Sequence, residues 1–146
     1  MSMYFDAGDE TLWNPSTGSG RLFLRQLQVF EAELGLPSGI GQGAHWGDPD
    51  TLEVDPAAYG EFTRALVSRH CGTSNSVTLA LSEGFVAIAL ALARRAGIEV
   101  EVPGAAPVTG DEDDRRGVHV GGPRPVPAVA HALEARAREL DRSITA

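Results

Sequence analysis

From Val77 to Ala93 the chain carries a single ionisable side chain, Glu83, in a run of Leu, Val, Ile, Phe and Ala that is otherwise interrupted only by Thr78, Ser82 and Gly84. A helix built from this run is apolar or small on nearly every face, through Leu79, Leu81, Phe85, Ile88, Leu90 and Leu92. Such a helix must be covered on several sides. Arg94, Arg95 and Gly97 close it, since basic residues and then glycine suit a helix C-terminus. The run falls short of the roughly 20 apolar residues of a membrane span. It is read as the hub of a buried core, with no membrane role.

The segments around the hub supply its cover. Tyr4-Phe5, the turn-like Asp6-Ala7-Gly8-Asp9 and Thr11-Leu12-Trp13 predict a short hairpin. Ser16 or Ser19 caps a first helix whose stripe Phe23, Leu27, Phe30, Leu34 ends at Gly35. A loop from Leu36 to Asp50 leads to an extended piece at Thr51 to Val54. Asp55-Pro56 then starts a second helix, with Pro56 at the first helical position, where its missing N–H costs nothing. Tyr59, Phe62, Leu66 and His70 form its inner face, Gly72 stops it, and Ser74 or Asn75 caps the hub helix. Ile98 to Val102 alternates apolar and acidic residues with period two and predicts a strand.

Charge and composition change after that strand. Residues 1–102 hold 13 acids and 6 bases, whereas 103–146 hold 7 acids and 6 bases. Residues 103–126 are rich in Pro and Gly and carry Asp111-Glu112-Asp113-Asp114 before Arg115-Arg116, the composition of a flexible linker. Residues 127–146 predict an amphipathic helix with the stripe Val126, Val129, Ala130, Leu133, Ala137, Leu140, Ile144. The expected fold is therefore α+β: a three-helix core with a small, mostly antiparallel sheet over 1–102, a linker, and a C-terminal helix. At 146 residues one such domain buries roughly 70% of its unfolded surface without disulfides or metal.

Composition excludes several kinds of chemistry. All 12 basic residues are arginine, so Schiff-base, pyridoxal-phosphate and Walker-type lysine mechanisms are ruled out. The lone Cys71 cannot form an internal disulfide or a multi-cysteine zinc site, and no metal or other cofactor is expected. A net charge of -8 argues against a nucleic-acid partner and favours a basic partner, or merely solubility. The C-terminal helix could fold back onto its own domain, join a partner helix or swap between protomers, so a protein partner or self-association, as in a homodimer, is expected. The first residues carry no secretory signal pattern, and a reducing cytoplasm is the expected compartment.

Four patterns carry candidate chemistry. His45, Trp46 and Asp48 lie in a Gly/Asp-rich loop that is either an acid–base site or a solvated turn pinned by Trp46. His70-Cys71 pairs an imidazole with a thiol, but adjacent helical residues diverge by about 100°, which favours a capping His and a buried Cys. Glu83 is either a desolvated general base or half of a buried ion pair with Arg25, Arg64 or Arg69. Pro15 to Arg21 places glycines, hydroxyls and Arg21 at a helix N-terminus, which either attracts an anion or simply caps the helix.

Tyr4-Phe5, Gly8-Asp9, Leu12 to Ser16, Leu36 to Gly41, Asp55-Pro56 and Ala80 to Phe85 together resemble a family of short actinobacterial proteins of unknown function. The resemblance covers about residues 3–102. It implies a soluble cytoplasmic protein of a high-GC bacterium and brings no activity and no catalytic residues.

Two functions are expected in competition. The first is a non-catalytic adaptor, accessory or immunity-like protein that binds a partner through its acidic surface and the C-terminal residues Val129, Leu133 and Leu140. The second is a small metal-independent enzyme or ligand-binding protein with Glu83 as general base, assisted by His45, Asp48 or His70. Trp13, Trp46 and Arg21 would line the pocket of that second protein.

Overall fold

A computed structural model describes residues 1–42, 48–104 and 127–144 of the chain. It is α+β, with four helices and one small four-stranded mixed sheet. The hairpin forms as expected: β1 (Tyr4–Ala7) and β2 (Glu10–Trp13) pair antiparallel around Gly8, whose φ of 61° is the left-handed conformation glycine adopts freely.

Helix α1 (Thr17–Leu34) is capped by Ser16, whose side chain accepts from the Ser19 N–H, and ends at left-handed Gly35. Asp55 caps α2 (Pro56–Gly72) through the Ala57 N–H. Asn75 caps α3 (Ser76–Arg95) by accepting from both Val77 and Thr78. Each cap satisfies backbone donors that the first helical turn leaves unpaired.

The sheet differs from expectation in two places. Its strand order is β2-β1-β4-β3, and β4 (Thr51–Val54) runs parallel to β1, so the sheet is mixed rather than mostly antiparallel. With β2 on one edge of β1, the returning chain takes the other edge, and α1 provides the long crossover that parallel pairing needs. The fourth strand is β3 (Ile40–Gln42), antiparallel to β4, not Ile98 to Val102. The alternation of that later segment is nonetheless real, because Val100 and Val102 are buried while Glu99 and Glu101 are exposed.

The segment runs extended over α2 instead of joining a sheet edge. Ile98 lies so close to Gly60 that a β-carbon there would sit 3.1 Å from its methyl, and the Arg64 Nε donates to the Glu99 carbonyl at 3.1 Å. Period two reports which side chains are buried, and a helix surface buries them as readily as a second strand would.

Helix α4 (Pro127–Ser143) is not set apart from a three-helix core. Ala130, Leu133, Ala137 and Ile144 are buried in the same hydrophobic cluster as Phe5, Phe62 and Leu90. The Arg94 guanidinium holds Glu134 with two bonds of 2.9 and 2.6 Å. Arg95 donates to the Asp141 carboxylate and to the carbonyls of Asp141, Ile144 and Leu12. Residues 1–102 therefore do not close the core by themselves. The predicted linker, apart from Pro103 and Gly104, lies outside the described residues.

Helix α3 is the hub, as its composition requires, but its cover is uneven. From Phe85 to Ala93 nearly every residue is buried, whereas Val77 is 66% and Leu81 79% exposed. Among the described residues it is also the helix long and apolar enough to cross a membrane, and half of that stretch is buried inside the fold.

Candidate functional site

The uncovered N-terminal half of α3 forms one wall of a groove of about 570 Å³. Phe30 and Val29 of α1, Leu66 of α2, and Leu81 and Val86 of α3 make its apolar sides. Leu66 and Val86 are fully buried at its base, whereas Val29 and Leu81 are exposed. The Phe30 ring stacks on Phe85 with centroids 4.7 Å apart, and Phe85 stacks on Phe23 at 5.2 Å, which anchors the wall in the core. Arg69 and Glu33 form an ion pair of 2.9 Å at the rim, about half exposed on both sides, and such pairs add little stability.

His70 and Ser82 lie in this groove, 5% and 7% exposed. The short Thr73 to Asn75 connection folds α3 back along α2 and brings the two residues into contact. The His70 Nδ1 lies 2.9 Å from the Ser82 Oγ, and that hydroxyl also donates to the Thr78 carbonyl at 2.8 Å, one turn back in α3. Burial pushes the His70 pKa below its ordinary value, partly opposed by the negative charge of Glu83. The ring is thereby held neutral at physiological pH.

Glu83 itself departs from expectation. It is half-exposed, not buried, and among the described residues it forms no ion pair with Arg25, Arg64, Arg69 or any other arginine. The expectation of a desolvated base assumed that α3 is covered all round, and α4 covers only its C-terminal half. Glu83 acts on His70 by its charge, but its side chain does not line the groove.

The remaining predicted residues scatter. Trp13 is a core residue stacked on Phe5 at 5.2 Å and edge-on to Phe23 at 5.4 Å, so it is no wall of a groove. Asp48 shapes a turn, accepting from the Asp50 N–H at 2.9 Å and from the Thr51 hydroxyl at 3.3 Å. His45 and Trp46 lie outside the described residues.

Arg21 is solvent-exposed on α1, near a helix N-terminus that Ser16 caps and whose Thr17 N–H donates to the Met1 carbonyl. Cys71 is fully buried, and burial raises its pKa, which disfavours the thiolate a nucleophile needs. Leu133 is fully buried and Val129 and Leu140 are half-buried, on a helix packed against α3 of the same chain. Among the described residues no cluster of three or more His, Cys, Asp or Glu side chains is placed to hold a metal.

Sequence reasoning missed Ser82, Phe30 and Leu81 as site residues. Ser82 carried a usable signal, as a hydroxyl inside an otherwise apolar run and twelve positions from a histidine across a tight helical hairpin. Leu81 carried none, since nothing in its identity distinguishes an exposed leucine from a buried one.

Comparison with known proteins places a family model, described as a family of unknown function (DUF6086), over residues 1–146. The match takes in the last helix and the segment before it, which the resemblance read from the residues had left out. No curated protein and no solved structure matches the chain.

Proposed function

The chain belongs to this family of unknown function, and from that premise we propose that it is a non-catalytic binding protein, of the adaptor, accessory or immunity-like kind, whose recognition surface is the α1–α2–α3 groove. One observation carries the reading. Val29 is 59% and Leu81 79% exposed at a groove that also holds the buried polar residues His70 and Ser82. Exposed apolar side chains gathered at one concave place are the usual mark of an interaction site, whereas scattered ones are not.

The other candidate surface, the apolar stripe of α4, is engaged within the chain. A net charge of -8 favours a partner segment that brings apolar side chains and positive charge together. A second copy of the chain shares the negative charge and suits the groove less well. The single thiol, buried in the core, is compatible with a reducing compartment, and the cytoplasm is the proposed location.

The test is a photo-crosslinking amino acid placed at Val29, with a control at Ala135 on the exposed face of α4. The expected result is a defined adduct with a basic protein from the Val29 position alone, lost on adding Leu81→Glu. Adducts from the Ala135 position only, or a chain crosslinked to its own copy, would overturn the proposal.

A further inference from the structure

We infer that the groove is selective for an aromatic side chain with a hydrogen-bond donor on its ring, tryptophan or tyrosine of the partner segment, with the His70 Nε2 as the acceptor that reads it. The inference rests on the binding function proposed above and deepens it. It begins from the proton count at Ser82. A serine hydroxyl has one hydrogen, and this oxygen contacts two groups, the Thr78 carbonyl and the His70 Nδ1. The carbonyl can only accept. Both contacts are hydrogen bonds only if the Ser82 hydrogen points to Thr78 and the imidazole carries its own hydrogen on Nδ1. A neutral imidazole has a single N–H, so Nε2 is then a bare acceptor.

That acceptor has no partner among the described residues, yet it is not one of the buried polar atoms sealed from solvent without a hydrogen bond. His70 is 5% exposed and lines the groove. Of the polar groups that line the groove, Glu33 and Arg69 are paired with each other and the Ser82 hydroxyl is engaged by Thr78, which leaves the His70 Nε2 as an acceptor between walls of Phe30, Leu66, Leu81 and Val86. An aliphatic anchor would cover Nε2 without satisfying it, and burying an unpaired acceptor costs free energy. A lysine or arginine would bring a donor, but the carboxylate that lines the groove, Glu33, is already paired with Arg69 at 2.9 Å, so the new charge would sit at neutral His70 without a counter-charge of its own. An indole N–H or a phenol O–H meets both demands, an apolar face for the walls and a donor at the edge.

Isotope-labelled full-length protein titrated with the N-acetyl amides of Trp, Tyr, Phe and Leu tests this by NMR. In the ligand-free chain the nitrogen shifts of His70 are expected to show hydrogen on Nδ1 and none on Nε2. The Trp and Tyr amides should move the His70 Nε2 signal and the methyls of Val29, Leu81 and Val86. They should bind about three- to tenfold tighter than Phe, the worth of one net hydrogen bond.

Ser82→Ala is the discriminating variant, because it keeps His70 but releases the constraint on which nitrogen is protonated. The preference over Phe should fall to near unity. Hydrogen on Nε2 in the wild type, a Phe amide that binds as well as Trp, a preference that survives Ser82→Ala, or no binding by any amide would each overturn the inference. If these occur while the Val29 adduct still forms, the selectivity is wrong and the binding function stands; if the adduct is absent too, both fall.

Discussion

The two halves of α3 have similar composition and opposite fates. From Phe85 to Ala93 the helix is sealed, with α4 laid along it, Leu133 fully buried, and Arg94 and Arg95 tying the two helices through Glu134 and Asp141. From Val77 to Leu81 the same kind of sequence faces solvent, and among the described residues the buried His70 beside it has a partner on one ring nitrogen only. Apolar character shows that a helix needs cover without saying where the cover stops. Polar groups behave the same way: on the sealed side each guanidinium nitrogen of Arg95 has an acceptor close by, whereas on the open side the His70 Nε2 has no partner among the described residues.

The contrast is broken most directly by Leu133→Ala, which empties a fully buried site where α4 meets α3. It is expected to cost roughly 3 kcal/mol by urea denaturation, through lost transfer energy and the cavity left behind. A cost under about 0.5 kcal/mol, the range of surface substitutions, would mean that α4 does not close the core. Arg95→Ala comes next, at about 2 kcal/mol after discounting for a side chain that is 27% exposed. Its signature is local: hydrogen exchange should rise in the last turn of α4, around Asp141 to Ile144, before anywhere else.

On the open side the sign reverses. Gly84 is a helix-interior glycine with nothing within 4 Å of where a β-carbon would stand. Gly84→Ala should therefore stabilise the protein by about 1 kcal/mol through helix propensity alone. A destabilised variant would show that something packs against that face.

The smallest effect is a pH dependence. Because burial holds the His70 pKa below that of the unfolded chain, the unfolded state binds the proton first as pH falls below about 6.5. The stability that neutral His70 contributes is thus present above that value and lost as pH falls toward the depressed one. Glu33, Arg69 and Glu83 are the charged groups about it, and Glu83 opposes the shift. Denaturation of wild type against His70→Asn between pH 7 and 5 should show a slope in the wild type that the variant lacks.

Much of the fold is legible in the sequence. The cap Asp55, the caps Ser16 and Asn75 as one of two candidates each, the stop Gly35 and the hairpin around Gly8 are legible because each is a local event, decided by a few neighbouring backbone groups, whereas Gly72 is the last helical residue of α2 and Thr73 caps it. β3 was not legible, since Gly39-Ile40-Gly41 reads as loop and becomes a strand only when β4 offers it an edge. Gly39 permits this join: its φ is 73°, and a β-carbon there would stand 2.7 Å from that of Ala58, so the chain passes the start of α2 only without a side chain. His70 was singled out, and Ser82 was seen only as an interruption beside Glu83.

Local chemistry therefore decided where helices begin and end, that one helix must be the hub, and which cofactor chemistries the lysine-free, single-cysteine composition excludes. Tertiary structure alone decided the rest. It put Ile98 to Val102 on a helix instead of a sheet, turned α4 inward, left Leu81 in water, and joined His70 to Ser82. The reason is physical: hydrogen bonds at a cap span three or four residues, whereas which apolar faces are covered depends on how many helices reach them, and in this chain α4 reaches only half of α3.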